Sequence, residues 1–68
     1  MRPEIIERLL KGVHRNLDHL DGYNFDYVKL CKVTLDAAKL RVHAVGVLEG
    51  EVNFALDRCA RLAVKFGW

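Results

Sequence analysis

The chain has few of the residues that hold many very small proteins together. It contains only two cysteines, Cys31 and Cys59, and these lie far apart in the sequence. Such spacing excludes a CxxC metal knuckle and the dense disulfide framework of small secreted domains. A chain of 68 residues is also short, and it buries only about 60% of the surface that its unfolded form exposes. We therefore expect a marginal core that a second chain completes or extends.

Long apolar runs are missing as well. The longest, Val42 to Leu48, spans about seven residues and contains His43, whereas a membrane-spanning helix needs about 20 apolar residues. The first residues, Met-Arg-Pro-Glu, begin a segment with charges every few positions, unlike the apolar region of a signal peptide. These absences predict a soluble, cytoplasmic protein with reduced thiols and without a membrane partner.

No charge of one sign dominates the chain. Its 11 basic and 9 acidic residues give a net charge of +2, and both signs are scattered along the sequence. A polybasic membrane anchor or a dedicated nucleic-acid arm would concentrate one sign. Apolar residues make up 51% of the chain and charged residues 29%, as in globular proteins. We therefore expect one folded domain over residues 1–68.

The first segment carries its apolar residues at helical spacing. They are Ile6, Leu9, Leu10, Val13, Leu17 and Leu20. Pro3 suits the first helical position, where its missing N–H donor is not needed. Glu4 and Glu7 lie near the positive end of the helix dipole, which stabilises acidic side chains. The pattern predicts a helix from about Pro3 to Leu20.

A second apolar stripe follows a turn at residues 21–24. Gly22 can end the first helix, and Asn24 can cap a second helix that begins at about Phe25. Steps of three and four residues then continue to the end of the chain, close to a heptad repeat. The stripe consists of Phe25, Val28, Cys31, Leu35, Ala38, Val42, Val45, Val52, Ala55, Leu56, Cys59, Leu62 and Phe66. Its length predicts an all-α fold.

Two glycines, Gly46 and Gly50, interrupt this stripe. If Gly50 ends the second helix, the helices cover about 25–48 and 51–66, and the helical hairpin extends to a three-helix bundle. If the stripe is continuous, a short first helix joins one long helix from about 25 to 66, which assembles as an oligomeric bundle. A strand hairpin around Gly50 is a third possibility, because Val42 to Val45 partly alternates. The glycines favour the three-helix bundle.

Motifs that carry chemistry are absent from the sequence. There is no glycine-rich phosphate loop, nucleophile elbow, HExxH zinc motif or pair of carboxylates with catalytic spacing. His14 and His19 are five residues apart and point in different directions on a helix, and neither cysteine has a second metal ligand three or four residues later. We predict no enzyme activity, no cofactor and no bound metal.

The apolar stripe points instead to a protein partner, because it is wider than the first helix can cover. We predict a small protein–protein interaction or oligomerisation module, with a second copy or another helical protein as its partner. The expected interface residues are Val42, Val45, Val52, Phe66 and Trp68. The alternative is a small nucleic-acid-binding regulator, whose basic helix faces would contact phosphates. Its candidate residues are Lys29, Lys32, Lys39, Arg58, Arg61 and Lys65.

Overall fold

The chain folds into a bundle of three α-helices. A computed structural model describes residues 2–22 and 24–67, and these residues contain no β-strand. Each helix packs against the other two. The predicted all-α three-helix bundle is therefore confirmed, and both the single long helix and the strand hairpin are wrong. The helices are α1 (Pro3–Leu20), α2 (Tyr27–His43) and α3 (Val47–Lys65).

Helix α1 has the bounds that the sequence predicts. Pro3 occupies the first turn, and the carbonyl of Arg2 accepts the backbone N–H groups of Ile5 and Ile6 at 3.1 and 3.2 Å. The helix ends at Leu20, one turn after Leu17. Its buried side chains form one row along the helix, which faces the other two helices. They are Ile6, Leu10, Val13, Leu17 and Leu20.

Helix α2 begins two residues later than predicted, and its cap is Asp26 rather than Asn24. The Asp26 carboxylate accepts the backbone N–H of Val28 at 2.9 Å and that of Lys29 at 3.4 Å. A charged acceptor that satisfies two free donors is a strong signal for the start of a helix. The extra residues between Leu20 and α2 lengthen the connection that brings α2 back along α1.

The break between α2 and α3 lies at residues 44–46, not at Gly50. Gly46 has φ of +62° and ψ of −130°, a conformation that residues with a Cβ rarely adopt. Its carbonyl accepts the N–H of Glu49 at 3.1 Å in the first turn of α3. Gly50 lies inside α3, where an exposed glycine costs only about 1 kcal/mol relative to alanine. Gly46 is the glycine whose backbone freedom the fold uses.

The two glycines should respond in opposite ways to substitution by alanine. Gly46→Ala forces a Cβ into a left-handed conformation and should lower the free energy of unfolding by about 1–3 kcal/mol. Gly50→Ala should raise it by up to about 1 kcal/mol, because a Cβ there meets no heavy atom within 4 Å. Urea unfolding followed by circular dichroism measures both. If Gly50→Ala were the more destabilising variant, the position of the break would be wrong.

The core is apolar and draws on all three helices. From α2 it takes Leu30, Val33, Ala37 and Leu40, which are not the residues of the predicted stripe on that helix. The α2 part of the predicted stripe faces outward instead. Both rows have helical spacing, so periodicity alone does not decide which one is buried. In the α3 part of the stripe Val52, Ala55, Cys59 and Leu62 are buried, as predicted, while Leu56 and Phe66 are partly buried.

Candidate protein-interaction face

The outward side of α2 carries a row of apolar side chains. Its members are three or four residues apart, so they line one side of the helix. All five are exposed to solvent, although three of them are large branched side chains. We call this series the outer α2 row: Val28, Cys31, Leu35, Ala38 and Val42.

An apolar groove of about 490 Å³ separates the outer α2 row from α3. No charged side chain lines it. Cys31 and Leu35 form part of its α2 wall, and the outer side of α3 forms the opposite wall. The lining residues are Tyr27, Leu30, Cys31, Thr34, Leu35, Leu56, Cys59, Ala60 and Ala63.

A second hollow of about 430 Å³ continues the groove towards the connection between α2 and α3. Leu56 lines both hollows, so the two form one surface. Ala38 and Val42 of the outer α2 row line the second hollow, together with Arg41 and Glu49 at its rim. We call the outer α2 row and the two hollows together the α2–α3 face.

Charged side chains border the α2–α3 face on both sides. Lys32 and Lys39 directly follow Cys31 and Ala38, and a helix turns by about 100° per residue. The two lysines therefore stand beyond the outer α2 row, on the side away from α3. Asp57 follows Leu56 in the same way and stands at the far margin of α3. Asp36 lies between the two lysines on the same side of α2, and Arg61 pairs with Asp57. The face is therefore apolar in the middle and carries charges of both signs along its edges.

Some of the predicted interface residues are exposed in the structure and others are buried. Val42 is exposed and belongs to the α2–α3 face, and Val45 is exposed in the connection between α2 and α3. Val52 was expected to contact a partner, but it is completely buried within the bundle. That expectation is wrong because Val52 packs into the core that α1 and α2 share with α3. Trp68 lies outside the described residues.

Phe66 was also expected to face a partner, but it packs within the chain. Its ring stacks on that of Phe25, with 4.2 Å between centroids and 11° between planes. Its carbonyl accepts a hydrogen bond of 2.8 Å from the Tyr27 hydroxyl. These contacts join the start of α2 to the end of α3. Phe66 therefore closes this end of the bundle, and it is only partly exposed.

The basic residues of α3 each contact a carboxylate of the same chain. Two of these contacts reach from α3 to the end of α1, and the third lies within α3. Arg58 also donates a hydrogen bond of 2.9 Å to Nδ1 of His14. The neighbouring carboxylates partly neutralise the positive charges of these residues. The pairs are Arg58–Asp18 at 2.6 Å, Arg61–Asp57 at 2.9 Å and Lys65–Asp21 at 2.6 Å.

The basic residues of α2 are arranged differently. Lys29, Lys32 and Lys39 are exposed, and none of the ion pairs found among the described residues includes them. Asp36 lines the same hollow as Lys29 and Lys32 and interrupts their positive charge. The structure therefore separates the six candidate nucleic-acid contacts into two groups on different helices, and only the α2 group has unpaired cations.

The three histidines line three different hollows, whereas both cysteines line the groove between α2 and α3. His14 lines a hollow of about 570 Å³ between α1 and α3, while His43 lines a different hollow, between α1 and α2. Both cysteines are free, with Cys31 exposed and Cys59 buried. Across residues 2–22 and 24–67, no three His, Cys, Asp or Glu side chains are grouped to hold a metal ion.

Comparisons with known proteins identified no protein that is significantly similar to this chain. The chain has no significant match to a protein-family model, to a curated protein or to a solved structure. Among the described residues, no helix combines the length and apolar character needed to cross a membrane. The function of the chain is therefore inferred from the chemistry of its own surface.

The groove residues of α3 were the part of the site that the sequence did not single out. Ala60 and Ala63 are small and unremarkable in the sequence, and Leu56 was assigned to the core stripe. One feature of the sequence could have identified the α2–α3 face. Helix α2 carries two apolar rows, and a helix of a three-helix bundle can bury only the row that faces the other two helices. The second row indicates a surface that remains for a partner.

Proposed function

We propose that this chain is a protein–protein interaction module that acts through the α2–α3 face. The observation that carries the proposal is the groove between α2 and α3, which has no charged lining residue and continues into the exposed outer α2 row. Contiguous exposed apolar surface with polar edges is typical of interaction sites on small soluble proteins.

The energetics of burial support the proposal. Removing a valine or leucine side chain from water stabilises a complex by about 1.5–3 kcal/mol when burial is complete. Val28, Leu35 and Val42 lie in line on one helix and are all exposed, so a partner helix can cover them together. Three such side chains, with the groove beside them, can offset part of the entropy lost on association.

Binding accounts for this surface better than catalysis does. The groove is lined by two cysteines, a tyrosine and a threonine, but it has no His, Asp, Glu or Lys among its lining residues to act as an acid or base for them. Nucleic-acid binding is the weaker alternative because Arg58, Arg61 and Lys65 are each engaged with a carboxylate. A reducing compartment such as the cytoplasm suits the two free cysteines.

Site-specific photo-crosslinking in living cells tests the proposal. A photoreactive amino acid replaces Leu35, which lies on the α2–α3 face, and a control variant carries it at Phe54, which is an exposed residue of α3 beside the hollow between α1 and α3. We expect ultraviolet light to give protein adducts with the Leu35 variant and few with the Phe54 variant. An adduct with a second copy and an adduct with another protein both support the proposed function. Equal adduct formation at the two positions, or none at either, would contradict the proposed function.

A further inference from the structure

We propose that the indole of Trp68 occupies the end of the groove that Tyr27 and Ala63 line, and that it competes there with a partner. Trp68 lies outside the described residues, so the segment that leads to it carries the inference. Docking of the indole is independent of the proposed function, whereas the competition rests on it. Three features of the described chain support the contact: the turn that ends α3, the position of Gly67, and the small side chains at this end of the groove.

The turn that ends α3 directs the following residue back onto the helix. Gly67 has φ of +111°, and its N–H donates to the Val64 carbonyl at 3.2 Å. A glycine with positive φ and a hydrogen bond of this spacing are typical of the Schellman motif. In that motif the residue after the glycine commonly makes an apolar contact with the residue three positions before the C-cap. The C-cap is Phe66, so the motif predicts a contact between Trp68 and Ala63.

Gly67 lies beside one end of the groove. A Cβ on Gly67 would stand 3.8 Å from the hydroxyl oxygen of Tyr27, and the same hydroxyl donates a hydrogen bond of 2.8 Å to the Phe66 carbonyl. Tyr27 and Ala63 both line the groove. The chain therefore leaves α3 at the edge of the groove, and the residue after Gly67 reaches the groove without a linker.

Small side chains at this end of the groove leave room for a large ring. Cys31 and Ala60 are exposed, Ala63 is half-buried, and all three line the groove. Cys31 lies four residues after Tyr27, and Ala60 lies three residues before Ala63, so each is about one helical turn from the end of the groove. These residues are within reach of an indole that starts beside Tyr27.

An indole suits this surface in both size and polarity. The groove has a volume of about 490 Å³ and no charged lining residue, and a tryptophan side chain removes about 150–250 Å² from water when it packs. The groove is open to solvent along one side, so the indole N–H can keep a water partner while the ring contacts apolar side chains. Tryptophan is typical of surfaces that are apolar at one end and hydrated at the other.

The docked ring would extend an aromatic cluster that the described residues already form. The ring of Tyr27 meets that of Phe25 edge-on, with 4.7 Å between centroids and 84° between planes. Phe25 in turn stacks on Phe66. Offset and edge-on contacts between aromatic rings are favourable beyond the area that they bury. Trp68 is therefore placed next to rings that stabilise a further aromatic contact.

The docked indole covers only one end of the α2–α3 face. Leu35 and Leu56 line the other end of the groove, and Ala38 and Val42 line the second hollow. A partner that lies along the whole groove must displace Trp68. Only the fraction of chains with a displaced indole is then competent to bind, and the apparent affinity falls by that fraction. The indole therefore weakens partner binding to this face.

Nuclear Overhauser effects in the wild-type chain locate the indole. Trp68 is the only tryptophan in the sequence, so its ring protons are readily assigned. We expect contacts from these protons to the methyl groups of Ala60 and Ala63 on one wall of the groove, and to the β-protons of Cys31 on the other. An indole that contacts neither Ala60 nor Cys31 would overturn the inference.

Quenching of tryptophan fluorescence by acrylamide measures how far the groove shields the indole. Ala60→Glu places a long charged side chain at this end of the groove, and the matched control Ala38→Glu makes the same change in the second hollow. Both alanines are exposed, so both variants should stay folded, which circular dichroism checks. Ala60→Glu should raise the quenching constant about twofold or more, because it shifts Trp68 towards the undocked state, and Ala38→Glu should leave it unchanged. Equal quenching constants for the two variants would contradict docking in the groove.

Photo-crosslinking at Leu35 tests the competition. In the Leu35 photoreactive variant, Trp68→Ala should raise the yield of adducts about threefold or more, and Trp68→Phe, which keeps an aromatic ring, should raise it less. An unchanged yield after Trp68→Ala would overturn the competition. A lower yield would also overturn it, because Trp68 would then contact the partner directly, as the sequence predicts. An absence of adducts in every variant overturns the proposed function together with the competition, while the Overhauser contacts decide separately whether the indole docks.

Discussion

Replacing Val52 by aspartate is expected to unfold the chain. Val52 is 0% exposed in the core of the bundle, and an unpaired carboxylate there loses its hydration without gaining a partner. Such burial costs several kcal/mol. The free energy of unfolding of a domain of this size is only about 3–10 kcal/mol. Circular dichroism should show loss of most helical signal at 25 °C, or at least a midpoint of urea unfolding that falls sharply.

The matched control for this variant is Val47→Asp. Val47 is 82% exposed and begins α3, where an acidic side chain interacts favourably with the helix dipole. We expect the control to unfold at the same urea concentration as the wild type or slightly above it. If Val52→Asp stayed folded and only changed the mass of an assembly, Val52 would lie on a partner surface, as the sequence suggested.

Truncating Ile6 is expected to be the second most damaging change. Ile6 is 1% exposed and is among the largest side chains that are fully buried. Ile6→Ala removes buried methyl groups and leaves a cavity, which should lower the free energy of unfolding by about 2–5 kcal/mol. Urea unfolding measures the loss directly. For a chain of this size the loss is a large fraction of the total stability.

Ile5 provides an internal comparison for Ile6. It is the neighbouring residue, carries the same side chain and is 43% exposed. Ile5→Ala should lower the free energy of unfolding by about 1 kcal/mol or less, because its side chain is partly hydrated already and alanine favours the helix. Similar losses for the two variants would mean that α1 does not present Ile6 to the core.

Local signals in the sequence predicted part of the fold well. Pro3 and the spacing of apolar residues define α1, and their effects are confined to that helix. The start of α2 was less certain, because Asn24 and Asp26 can both cap a helix. The structure uses Asp26. The choice depends on how many residues the chain needs to turn from α1 to α2, which local propensity does not specify.

The position of the break between α2 and α3 could not be read from glycine content. Gly46 and Gly50 look alike in the sequence. Only the required backbone conformation distinguishes them, since Gly46 takes a positive φ and Gly50 is helical. That conformation is set by the packing of α2 against α3, which places the turn where both helices can bury their apolar rows.

The candidate face was present in the sequence but was assigned the wrong role. The row that contains Val28, Leu35 and Val42 was expected to face the core, and it lies on the outside of the bundle. The row that contains Val33 and Leu40 takes its place in the core. Both rows repeat at helical spacing, so the choice depends on which side of α2 meets α1 and α3. Contacts between distant residues decide this.

The ion pairs of α3 illustrate the same limit. Arg58 and Asp18 are 40 residues apart in the sequence, yet they form a contact of 2.6 Å. In the sequence Arg58 belongs to a basic cluster suited to phosphate. In the folded chain its guanidinium links α3 to α1, between His14 and Asp18. Only the tertiary structure shows that this positive charge is already paired with the Asp18 carboxylate.

The connection at residues 44–46 has a consequence for the order in which the molecule forms. It joins α2 to α3 through so few residues that closing this hairpin costs little loop entropy. Docking of α1 on α3 instead joins residues as distant as Asp18 and Arg58. Bundles rich in local contacts fold within about microseconds to milliseconds. The hairpin that carries the α2–α3 face can therefore form before α1 docks on α3.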